Sequence, residues 1–81
     1  MNTKEMSSFI GEETLTIVDA MERIDLNANG ILFIVDKECR LIGSLTDGDI
    51  RRWIMNSGKI TDSVINAMNS INQSLSQTVM L

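Results

Sequence analysis

The clearest pattern in the chain is a helical repeat of apolar positions at Ile17, Ala20, Met21 and Ile24, one stripe along a helix. Thr16 stands just before it with Asp19 three residues on, a pairing that suits a helix N-cap. Asn29-Gly30 tolerate positive φ and predict the stop. Upstream, Ser8 to Gly11 predict a short extended segment built on Phe9 and Ile10 and broken by Gly11-Glu12-Glu13. Ile31-Leu32-Phe33-Ile34-Val35 is an unbroken apolar run, the habit of a strand buried on both faces. Asp36 to Arg40 make a polar turn, and Leu41 to Leu45 read as the antiparallel partner strand. Thr46-Asp47-Gly48-Asp49 then open a second helix, with Ile50, Trp53 and Ile54 on one face and Ser57-Gly58 as its stop. Thr61-Asp62 predict the cap of a third short helix bearing Val64, Ile65 and Met68. The order β-α-β-β-α-α defines an α/β layout of helices on a small sheet. Ser70 to Leu81 lack a cap or a sustained period, and read as a tail or as the truncated start of a second unit.

At 81 residues this is one small domain. Such a chain buries only about 60% of its unfolded surface, so it is marginal alone and in need of a partner. With 43% apolar and 22% charged residues it is not intrinsically disordered. No apolar run is long enough for a membrane helix, and the N-terminus lacks the apolar segment of a secretory signal. Seven Lys/Arg against eleven Asp/Glu give a net charge of −4, which argues against a nucleic-acid partner. The charge is uneven, because residues 36–59 carry four acids and five bases, including Arg51-Arg52. A single cysteine, Cys39, excludes an internal disulfide, and cytoplasm is the default compartment. The absence of histidine removes Ser-His-Asp and Cys-His catalysis, and no conventional metal site is expected.

The densest chemical signal is the run from Leu41 to Arg52, a strand leading through Thr46-Asp47-Gly48-Asp49 into a helix N-terminus. Such a terminus presents free amides and the positive end of the helix dipole to an anion. Thr46 can offer its hydroxyl to a phosphate or sugar oxygen, and Asp49 can accept both hydrogen bonds of a cis-diol. Gly43 and Gly48 permit close approach of a backbone or a ligand. The same spacing is also that of a capping box, as at Thr16 and Asp19, so both readings stand at this point.

The run from Gly11 to Met68 resembles a single cystathionine-β-synthase (CBS) motif, over 58 of the 81 residues. The resemblance is carried by Thr14-Leu15, Ala20, Ile34-Val35-Asp36, Leu41-Ile42-Gly43 and, most specifically, Thr46-Asp47-Gly48-Asp49-Ile50-Arg51-Arg52. It implies a β-α-β-β-α unit over residues 8–69, with helices packed on a small mixed sheet and residues 70–81 as tail or second-unit start. Units of this family pair through their sheets and bind AMP, ADP, ATP or S-adenosylmethionine in the clefts between them. Carried over by residue, Thr46 and Gly48 would meet phosphate or ribose, and Asp49 would hold the ribose hydroxyls. Ile31 and Leu32, with the backbone around Gly30, would line the base pocket. One departure is Phe33, where many members place proline.

The longer string resembles most closely the CBS module of sugar nucleotidyltransferases of the mannose-1-phosphate guanylyltransferase type, and next that of arabinose-5-phosphate isomerases. The resemblance therefore implies a non-catalytic regulatory unit, with no required cofactor, that modulates an attached nucleotidyltransferase. Alternatives are the CBS unit of a sugar-phosphate isomerase, or a dimerisation module without a ligand. A second unit, in cis or as a second copy in a homodimer, would dock on the apolar surface around Phe33, the two strands and the helix of Trp53. Trp53 reads as packing rather than base stacking, and Arg51-Arg52 as a solvated helix face suited also to phosphate. Cys39 reads as a surface thiol, Asp47 and Asp49 make a weak case for acid–base chemistry, and the six methionines need no cofactor.

Overall fold

Thr16 is extended (φ −83°, ψ 160°) and its hydroxyl accepts from the Asp19 amide, so helix α1 begins at Ile17 and runs to Asn27. It stops before Asn29-Gly30, because Ala28 already takes a left-handed φ of 59°. Gly30 supplies a second positive φ, 71°, and turns the chain into strand β2, Ile31–Val35. The structure is a computed structural model and describes residues 8–71. A parallel strand β1, Ile10–Glu12, pairs with β2, and β3, Leu41–Thr46, pairs with β2 antiparallel. Helix α2, Asp47–Met55, follows β3 directly. A last short strand β4, Asn69–Ser70, closes a sheet of order β1-β2-β3-β4.

The two helices pack on one side of this sheet. Ile17, Ala20 and Ile24 of α1 and Ile50 of α2 meet Leu32, Ile34 and Leu45 of the strands in one buried cluster. The expectation that β2 is buried on both faces holds at Leu32, Ile34 and Val35 but fails at Phe33. Phe33, on the face away from the helices, is 39% exposed, and no described element covers it. Likewise Met21, Ile54 and Ile65, predicted on apolar stripes, are exposed. Gly11 does not break the first strand as predicted but sits inside it. A Cβ there would lie 2.8 Å from Leu32 Cδ2 and 2.9 Å from Leu15 Cδ2, so only glycine lets β1 pair so close to the core.

The third predicted helix is a single 3-10 turn, Val64–Asn66, and its cap is Ser63 rather than Thr61-Asp62. The reason is that residues 60–63 are engaged elsewhere. The carbonyls of Asp62 and Ile60 accept from the first α1 amides, Ile17 and Val18, at 2.9 and 2.8 Å. Ser63 Oγ donates to the Glu13 carbonyl at 2.7 Å, and Val64 is fully buried. Strand β4 was not predicted, and it includes Ser70, where the expected tail begins. The Ile71 amide continues the pairing by donating to the Ile42 carbonyl at 2.9 Å. Residues 72–81, the rest of the expected tail or second unit, lie outside the described residues.

The β2–β3 turn is organised by Asp36, whose carboxylate accepts from the Glu38 and Arg40 amides and from Arg40 Nε, each at 2.9 Å. The Arg40 amide, first among these donors, holds the Asp36 carboxyl below its ordinary range. A depressed folded value means a contribution fully present above the unfolded carboxylate range and lost as pH falls through the folded value. Asp36→Asn should therefore flatten the acid limb of the stability curve, read as urea midpoints across about pH 3 to 7. Gly43→Ala should act at the other side of β3. Its Cβ would stand 2.7 Å from the Asn69 carbonyl oxygen, a backbone atom that cannot yield without moving β4. We expect a cost of about 1–3 kcal/mol in urea unfolding and faster exchange of the Ile71 amide.

Candidate functional site

The junction of β3 and α2 is held by a complete capping box. Thr46 Oγ1 accepts from the Asp49 amide at 3.2 Å, and the Thr46 amide donates back to Asp49 Oδ2 at 2.9 Å. Asp49 is 3% exposed, and Asp49 alone forms the class of buried polar or charged residues among the described ones. Its carboxylate also accepts from Thr46 Oγ1 at 2.9 Å, from Asn69 Nδ2 at 3.0 and 3.1 Å, and from Arg52 Nη2. A carboxylate this covered needs such donors, because burying an unpaired charge costs far more than each bond contributes.

Around this carboxylate the predicted residues are placed unequally. Ile31 is half-buried and pairs with Thr46, so the two lie side by side at one end of the sheet. The Asp47 amide donates to the Gly30 carbonyl at 3.2 Å, and a Cβ on Gly30 would be 3.2 Å from Asp47 Oδ2. Leu32 is 0% exposed in the cluster beneath the helices, so its side chain offers nothing to a ligand. At the α2 N-terminus the Asp47 and Asp49 amides are taken, whereas no hydrogen bond recorded among the described residues uses the Gly48 amide. Arg52 lies alongside, since a Cβ on Gly48 would be 3.7 Å from its Nη1. Gly48 and Arg52 thus form a donor pair beside Asp49.

Asn69 is the residue that sequence reasoning missed. It lies 20 positions from Asp49, and no local spacing links an asparagine on a two-residue strand to a helix cap. The Arg52–Asp49 pair follows from i,i+3 spacing and was within reach of the sequence.

Two further surfaces frame the site. An open groove between α1 and α2 is lined by Met21, Ile24, Ile50, Ile54 and Met55, with Glu22, Asp25 and Arg51 at its rim, and includes neither Thr46 nor Asp49. The opposite sheet face presents Phe33. Trp53 packs against the core cluster and donates Nε1–H to the Lys59 carbonyl at 2.9 Å, in line with the packing role read for it. No helix among the described residues is long and apolar enough to cross a membrane.

No family model matches the chain. Arabinose 5-phosphate isomerase GutQ of Shigella flexneri is 33% identical over 57 residues, 70% of this chain and 18% of that protein. Its counterpart in Escherichia coli K12 is 34% identical over 55 residues, 68% of this chain and 17% of that protein. The chain therefore spans less than a fifth of the curated relatives it matches. Among solved structures, a CBS domain protein from Pyrobaculum aerophilum complexed with AMP has a TM-score of 0.70 at 19% identity, covering 75% of this chain and 48% of that one. Staphylococcus aureus OpuCA gives 0.66 at 22% identity, covering 78% and 51%. The chain has the CBS-domain fold: a small α/β unit with two helices on a four-stranded mixed sheet, as its sequence implied. The relatives found by sequence are isomerases, so the nucleotidyltransferase resemblance gains no support from them.

Removing the cap acceptor by Thr46→Ala should cost about 0.5–2 kcal/mol in urea unfolding. Asp49→Ala should cost more, since it strands the Thr46 amide, Arg52 and Asn69 at once.

Proposed function

We propose that this chain is a non-catalytic regulatory CBS unit that binds an adenosine-type nucleotide at the β3–α2 junction once a second unit covers its open sheet face. What carries this reading is one arrangement on a fold shared with an AMP-complexed protein. Asp49, the Gly48 amide and the Arg52 guanidinium stand within one turn of α2. Asp49 is the acceptor for the ribose hydroxyls, and Thr46, Gly48 and Arg52 are the donors for phosphate. Ile31 and the backbone at Gly30 border the base. AMP, ADP, ATP and S-adenosylmethionine share the adenosine that these groups address.

The covering unit is a second CBS motif, in cis or as a second copy. The chain aligns with 48% and 51% of the two solved chains, the share that one of two similar units would occupy. Phe33 at the centre of the uncovered face is the apolar anchor for that contact. Ligand preference for one arrangement of the pair would then bias an attached enzyme by linkage. The alignments favour a sugar-phosphate isomerase as that enzyme over the nucleotidyltransferase. A ligand-free dimerisation module is the second reading, favoured by the full occupation of the Asp49 carboxylate by the protein's own donors.

Calorimetry of the chain with AMP, ADP, ATP and S-adenosylmethionine, with GTP as control, separates the two. Binding of an adenosine ligand that weakens at least about tenfold in Asp49→Ala supports the nucleotide site. No heat with any of them leaves the dimerisation module. Sedimentation at micromolar concentration should show a dimer, and Phe33→Glu should give a folded monomer.

A further inference from the structure

We infer that Asn69 is a latch on Asp49, and that a ligand taking the Asp49 carboxylate releases strand β4, the last of the described strands. The inference rests on the nucleotide reading above and names how that site is regulated. Four groups donate to the Asp49 carboxylate, and three of them, the Thr46 amide, the Thr46 hydroxyl and Arg52, come from within three residues. Asn69 alone comes from a distant part of the chain, 20 residues away. Its single amide group is shared between both oxygens, at 3.0 Å to Oδ1 and 3.1 Å to Oδ2. A cis-diol that donates one hydrogen bond to each oxygen competes with Asn69 at both positions. Thr46 keeps its place through the cap, and Arg52 can swing on its own exposed stem toward a phosphate.

Among the described residues, β4 is otherwise held by its short pairing with β3 and by Met68 just before it, which packs on the core. The strand is two residues long, both exposed, and neither side chain is apolar. It adds the register pairs Gly43↔Ser70 and Ser44↔Asn69, and the Ile71 amide bonds the Ile42 carbonyl just beyond. An edge pairing this short, without a buried side chain, sits at the low end of local stability. Losing the one side-chain tie therefore matters more here than it would on β2 or β3. The direction of the coupling follows by reciprocity: what displaces Asn69 loosens β4, and what loosens β4 eases access to Asp49.

The test is Asn69→Ala, with Asn69→Ser as a second variant that keeps a polar residue on the exposed strand. Both are titrated with AMP by calorimetry and followed by amide exchange at Ile71. Both variants should bind AMP about 3- to 10-fold more tightly, the net worth of one ordinary intramolecular hydrogen bond. In the unaltered chain AMP should speed Ile71 exchange, and in the variants that exchange should be fast already and unmoved by AMP. A merely structural asparagine predicts the opposite sign, weaker or unchanged affinity. If AMP binds the unaltered chain but the variants bind no more tightly, or Ile71 exchange ignores AMP, the latch is overturned and the nucleotide reading survives. If AMP binds neither the chain nor the variants, both fall.

Discussion

A buried carboxylate decides how this domain is put together. Asp49 ends β3, begins α2 and anchors β4, because its donors come from all three. A charge at 3% exposure is tolerable only when fully bonded, so each of those elements is held to a position that keeps it so. The junction is thereby rigid on the side of α2, where the bonds are local, and conditional on the side of β4, where a single amide makes the connection. The hydrogen bonds that would serve a ribose are the ones that already serve the fold. A site built this way exchanges partners rather than filling a void.

The second constraint is that only two helices serve four strands. Both lie on one face, so the core is one layer deep and the other face leaves Phe33 uncovered by any described element. This explains why an apolar run such as Ile31–Val35 misleads. Leu32 and Ile34 are buried beneath the helices, whereas Phe33 carries the same hydrophobicity with none of the described residues covering it.

Elements whose signals are local were legible. The Thr16 and Thr46 caps, the hairpin of β2 and β3, and the two long helices all follow from spacing within four residues. What was not legible depends on separation. Residues 60–63 read as a helix cap because their own composition suits one, but their carbonyls are drawn to α1 across more than 40 positions. Gly11 reads as a breaker until Leu32 and Leu15 are seen to leave no room for a Cβ. Asn69 carries no pattern at all, and β4 is too short for any period to mark it. Of the candidate site, Thr46, Gly48 and Asp49 were visible through the strand-to-helix motif. Leu32 was placed beside them by the family resemblance, and its side chain turns to the core because strand neighbours alternate between faces.

The tie between residues 60–64 and the start of α1 has a consequence for how the chain acquires its structure during synthesis. The first turn of α1 finds its acceptors on Ile60 and Asp62, and Leu15 offers its carbonyl to Val64. A nascent chain that has emerged only as far as Ser57 already contains both helices and three strands, yet α1 lacks its partners and Val64 is missing from the core. The loop that must close is long, and its entropic cost falls before the contacts are made. The native set of contacts is thus complete only once residues 60–64 are present, a segment that has almost no secondary structure of its own.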